Sequence, residues 1–143
     1  MTKENHSATN LKNLARIILG LFMILAGLGH LSFQREEFQA QVPNWIPMNQ
    51  DLVVLLSGIV EILLGVTMIF WRKQRIKVGI ALAIFYILVF PGNIAQYTEH
   101  RNAFRLDTDT KRLARLFFQP VLIIWALWSS GGLKRQTAPE RKN

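Results

Sequence analysis

The chain has 143 residues, of which half are hydrophobic and 18% charged, with no cysteine and a formal net charge of +8. The length fits one domain. The lack of cysteine excludes a disulfide scaffold, a zinc ribbon, a thiol-to-quinone relay through a Cys pair and a lipid anchor on an N-terminal Cys.

In chain order, Met1–Asn10 is polar and carries Lys3, Glu4 and His6, so residues 1–11 read as a disordered cytoplasmic tail. A first apolar window follows at Leu14–Phe33, with Arg16 near its start. It has no small-x-small cleavage site after Ile24–Gly29, which argues for an uncleaved helix over a signal peptide. The loop Gln34–Asp51 holds Glu36, Glu37 and the run Val42–Pro47, where Pro43 and Pro47 forbid a regular helix and Trp45 is placed for a headgroup level. The second window is Leu52–Trp71, with Glu61 at its middle. A tight basic turn, Arg72–Lys77, leads to the third window, Val78–Thr98, which contains Pro91. The segment Glu99–Arg115 reads as a mobile loop of mixed charge, and the fourth window, Leu116–Leu133, contains Pro120. Residues 134–143 form a basic tail.

A hydrocarbon core of roughly 30 Å takes about 20 residues at a rise of ~1.5 Å each, which each window can supply. None shows the polar face of a soluble amphipathic helix. The fold class expected is therefore all-α: an integral membrane four-helix bundle over residues 12–133. With four spans, both tails and the Arg72–Lys77 turn share one side, and that side holds eleven of the 17 Lys and Arg residues. The excess puts both termini in the cytoplasm and explains the positive charge without a nucleic-acid partner. The expected location is a prokaryotic plasma membrane, crossed several times.

Polar side chains inside a span are costly and turn toward the bundle interior. Glu61 is the sharpest case, because a bare carboxylate at that depth costs at least a few kcal/mol. Ser57, Glu61 and Gly65 recur every four residues and should share an inward stripe beside Gly58. Helix arithmetic puts His30, Asn93, Gln96, Gln119 and Arg115 in the same outer half, with Glu61 deepest. This predicts a pocket open to the outer face, with Pro91 and Pro120 freeing backbone carbonyls at its level. The bland alternative is interhelical glue, worth about 0.6 kcal/mol per hydrogen bond. A haem or metal site is a poor fit, since His30 and Glu61 lack further ligands.

The ordered set Gly29-His30, Ile46-Pro47, Ser57–Glu61 with Gly65, Pro91-Gly92-Asn93 and Arg115–Gln119 resembles the DoxX family of small four-helix membrane proteins, over about residues 12–132. Two positions depart from the family pattern: Gly92, where Ala is frequent, and Phe117-Phe118, where Pro-Leu is usual. The resemblance implies a membrane subunit or accessory of a redox system, since relatives are associated with thiosulfate:quinone oxidoreductase and other membrane oxidoreductase complexes.

Three functions follow as expectations. In the first, the pocket binds a quinone or another small lipophilic molecule. Glu61 is the proton acceptor, His30, Ser57, Asn93, Gln96, Arg115 and Gln119 are ligand-binding candidates, and a membrane or soluble redox partner protein supplies electrons. The second is a non-enzymatic scaffold or lipid-binding protein. The third is a small proton-coupled carrier, which with four helices and no repeat would need a homo-oligomer.

Overall fold

A computed structural model describes residues 2–133 of the chain. The described residues form α1 (Thr2–Leu31), a short α2 (Arg35–Gln39), α3 (Gln50–Phe70), a 3-10 turn (Arg72–Gln74), α4 (Arg75–Thr98) and α5 (Asp109–Ser130), with no strand. Four stretches are long and apolar enough to cross a membrane: His6–Leu31, Gln50–Phe70, Arg72–Thr98 and Asp109–Ser130. Leu25, Leu63, Leu88 and Ile124 point outward, each more than half exposed, so the bundle is greasy outside as well as inside.

The boundaries differ from the hydropathy windows in two instructive places. Residues 2–11, expected to be disordered, continue α1. No Gly or Pro interrupts the chain before Gly20, and a helix nucleated by the apolar span propagates at one hydrogen bond per added residue. At the other end α5 begins at Asp109, about two turns before the apolar window. Thr108 caps it, its side chain accepting from the Lys111 N–H, and Asp109 favours the helix start. The basic tail at 134–143 lies outside the described residues.

The bundle has two unlike ends. At the tail end, where α1 starts and α5 finishes, Trp125 Nε1 donates to the Ala15 carbonyl at 3.0 Å and Lys12 sits over the Trp128 ring. Buried Arg16 donates to the carbonyls of Met68 and Ile69, placing a cation on the C-terminal end of α3. Leu19, Met23, Met68, Leu82, Tyr86, Leu122 and Ala126 form the core just above this end. At the long-loop end the loops 32–49 and 99–108 meet, and there the interior becomes polar.

Two glycine pairs set the closest helix approach. A Cβ on Gly58 would lie 2.7 Å from His30 Cβ and 3.0 Å from the Gly27 carbonyl oxygen, and one on Gly65 would lie 2.6 Å from the Gly20 oxygen. Backbone against backbone is the packing that small residues permit. The buried face of α3 is accordingly Val54, Gly58, Glu61, Gly65 and Met68, spaced alternately four and three residues apart. Ser57, expected on this stripe, is half-buried at its edge, because the true repeat is nearer three and a half residues than four.

Candidate functional site

His30 ends α1, and its neighbour across the glycine contact is α3. That proximity lets His30 Nδ1 reach the Val54 carbonyl at 3.3 Å while Nε2 faces Glu61 Oε2 at 3.5 Å. Both residues are about nine-tenths buried. Because Nδ1 points at a carbonyl, it must be the donor. Nε2 is then either a lone pair or a second N–H, and Glu61 Oε2 has no hydrogen bond of its own.

A second chain of polar groups runs between α4 and α5. Arg115 Nε donates to Asn93 Oδ1 at 3.3 Å, Asn93 Nδ2 to Gln119 Oε1 at 2.9 Å, and Gln119 Nε2 to the Tyr86 carbonyl at 2.8 Å. The accepting carbonyl lies one residue before Ile87, whose usual helical donor is the N–H that Pro91 lacks. Both proline-containing helices run without interruption. Among the described residues Nε is the only Arg115 nitrogen with a hydrogen bond, which leaves the terminal nitrogens available. The guanidinium also interacts electrostatically with Glu61.

These groups share one cavity of about 930 Å³, lined by His30, Glu61, Asn93, Arg115 and Gln119 together with Met23, Tyr86, Phe38 and Phe104. That volume is at the upper end for small-molecule sites. Five of the seven expected site residues therefore converge. Ser57 and Gln96 do not line the cavity. Gln96 is buried one side chain behind its wall, accepting from Gln41 Nε2 at 2.9 Å while its own amide nitrogen has no partner. It pins the first long loop to α4, and Gly92 makes room for that loop: a Cβ there would meet the Gln41 carbonyl oxygen at 2.5 Å.

The roof is aromatic and comes from segments that carry no periodic signal. Phe38 of α2 packs on His30 with ring centroids 3.4 Å apart and the rings tilted by 42°, Phe104 meets Phe38 edge-on at 4.6 Å, and the Arg115 guanidinium lies 4.5 Å from the Phe104 ring centre. Glu37 accepts from the Phe104 N–H at 2.7 Å. Phe104, Arg105 and His100 all hold positive φ, of 54°, 57° and 52°, a conformation that costs of order 1–2 kcal/mol in a side-chain-bearing residue and persists where neighbours enforce it. The loop 99–108, read as mobile, is tied further by Arg112 to Asp109 and Asn102 and by Arg101 to the carbonyls of Ala40 and Val42. Lys111 in the first turn of α5 donates to Asp107 of this loop at 2.6 Å and holds that carboxyl below its ordinary range. α2 is clamped to α3 by Arg35 and Gln39, both donating to Asp51.

The exposed part of the lining is unevenly distributed. The exposed lining residues belong to α1 (Phe22, Leu25, Leu28), the turn after it (Phe33) and α5 (Lys111, Ala114, Phe118). Those from α3 and α4 are buried or half-buried. The exposed lining thus runs along the cleft between α1 and α5 and reaches the long-loop end at Phe33 and Lys111.

A family model described as a domain of unknown function, DUF8561, matches residues 19–130. The chain belongs to this family. The DUF8561 segment contains every residue that lines the cavity. No curated protein and no solved structure matches the chain. Among the described residues no three His, Cys, Asp or Glu side chains group as metal ligands. The DUF8561 site instead offers one carboxyl, one imidazole and one guanidinium on the wall of an apolar cavity.

Tyr86, Phe38 and Phe104 were not anticipated as part of the site. Tyr86 could have been found, since it lies two helical turns before Asn93 on the same face of α4. Phe38 and Phe104 could not, because loop positions follow no period.

Proposed function

We propose that this DUF8561 chain crosses a membrane four times with both termini in the cytoplasm, and that its cavity binds the polar head of a quinone or another small lipophilic molecule. In this reading it is a membrane accessory of a redox system. The single observation that carries it is the buried His30–Glu61 pair on the cavity wall, 3.5 Å apart. The redox association rests on the resemblance to DoxX proteins, and the orientation rests on the Lys and Arg excess at one end.

With Nδ1–H committed to Val54, His30 Nε2 and Glu61 Oε2 have one proton between them. Held on Glu61, it makes both groups neutral. Moved to His30, it leaves an imidazolium beside a carboxylate. Either placement is net neutral, which is why the pair tolerates burial where a lone carboxylate would not. A carboxyl that can hold or release a proton beside an imidazole is what a general acid–base group requires. The terminal N–H groups of Arg115 face a ligand oxygen as charged donors. The unhydrogen-bonded Oε2 of Glu61, the free Arg115 donors and the cavity volume all fit a quinone head. When bound, that group would supply carbonyl oxygens that take up protons along with electrons from a partner protein.

The test uses purified protein in lipid nanodiscs and a soluble short-chain benzoquinone. Wild type should bind it, and Arg115→Met should weaken binding by about tenfold to a hundredfold, as expected for loss of a hydrogen bond from a charged donor. Glu61→Gln should keep binding but abolish proton uptake on reduction. No binding by wild type overturns the reading. The satisfied Asn93–Gln119–Tyr86 chain favours a second reading, a non-enzymatic scaffold or lipid-binding protein. It predicts that Glu61→Gln changes thermal stability alone.

A further inference from the structure

We infer that the ligand is a single-chained lipid, whose acceptor-bearing head lies at the Glu61–Arg115 wall and whose apolar chain leaves through the cleft between α1 and α5. This rests on the reading of the cavity given above and names the class of molecule it takes.

Polarity changes along the cavity in one direction. Its buried wall carries the His30–Glu61 pair and the Arg115–Asn93–Gln119 chain, whereas its exposed lining is Phe22, Leu25 and Leu28 on α1, Phe33 after it, and Ala114 and Phe118 on α5, with Lys111 the one charged exposed member, at the long-loop end. A wholly polar ligand would match the wall and waste the exposed lining. A wholly apolar one would leave Glu61 Oε2 without a partner, at the cost of a buried unpaired polar group. An amphiphile satisfies both. The volume also exceeds what a single ring fills, leaving room for the first part of a chain.

Contacts lie across the other two ends of the cavity. The Phe38–Phe104 contact and the Glu37 bond to the Phe104 N–H lie across the long-loop end. At the tail end α1 and α5 are joined by Trp125 to Ala15 and by Lys12 over Trp128, so the cleft is blind below Leu122. A chain starting at the Glu61 level therefore leaves sideways, across a surface whose side chains are apolar and exposed. In a bilayer that surface meets acyl chains, so a lipid slides in without crossing water.

The experiment reconstitutes the full chain in nanodiscs with a benzoquinone whose decyl chain ends in a diazirine. After irradiation, mass spectrometry should find adducts on Phe22, Leu25 or Phe118, and excess of the same quinone without the diazirine should reduce them to background. Ala26→Trp, which fills the cleft from α1, should abolish these adducts. A folded Ala26→Trp protein that still gives them overturns the inference. Adducts spread over Leu63, Ile84 and Leu88, the outward faces of α3 and α4, also overturn it, since they mark nonspecific lipid contact. If the short-chain benzoquinone binds in an Arg115-dependent way while the decyl probe gives no cleft adducts, the cavity reading stands and the lipid inference falls. If neither compound binds, both fall.

Discussion

In the proposed reading His30 and Glu61 hold a single proton between them, and substitutions at the two positions should therefore have unequal effects. Gln at position 61 keeps the shape of the side chain and can donate an amide N–H to His30 Nε2. Glu61→Gln should change stability by no more than about 1 kcal/mol, the net worth of one hydrogen bond. His30→Ala removes the partner and leaves a void beside a buried carboxyl, so it should cost about 1–3 kcal/mol. Thermal unfolding of the two variants in one detergent gives the comparison, and equal losses would sink the pairing. Glu61 was identifiable from its chemistry alone, because a carboxyl among leucines and isoleucines has few reasons to be there. Its partner was less visible: nothing in the order of residues says that the last turn of α1 crosses α3 beside Val54.

Helix pairing is decided by glycine. Gly58 and Gly65 were legible as a small-residue face, yet their counterparts Gly20 and Gly27 acquire meaning only when α1 is laid against α3. Ala in place of Gly inside an exposed helix stabilises by up to about 1 kcal/mol. Gly58→Ala should do the reverse, costing about 1–3 kcal/mol as an overpacked contact, because the new methyl meets His30 Cβ and the Gly27 backbone. It should also weaken quinone binding, since His30 is the atom set that has to move. A Gly58→Ala protein as stable as wild type, with binding intact, would show that the two helices are free to separate. Gly92 teaches the same lesson on a loop. A side chain there would meet the Gln41 backbone lying against it.

At the scale of the whole molecule, the proposed topology makes a prediction that the absence of native cysteine renders clean. Single variants Trp45→Cys and Lys73→Cys lie at opposite ends of the bundle. In intact cells a membrane-impermeant maleimide should label the first, and the second only after permeabilisation; the opposite pattern would invert the orientation. The number of membrane-length helices, their all-α class and the depth of the polar set were determined by composition along the chain, because spanning length and burial cost are one-dimensional properties. Helix ends were less well determined: polar residues that hydropathy assigns to loops, as at 2–11 and 109–115, continue a helix when a cap or an uninterrupted run lets them. Only the tertiary structure decided which residues line the cavity. That lining depends on α1 and α5 meeting at the tail end and parting above it, and on Phe38 of α2 and Phe104 of the second long loop meeting beside His30. Such contacts join residues far apart in the chain, and no local pattern encodes them.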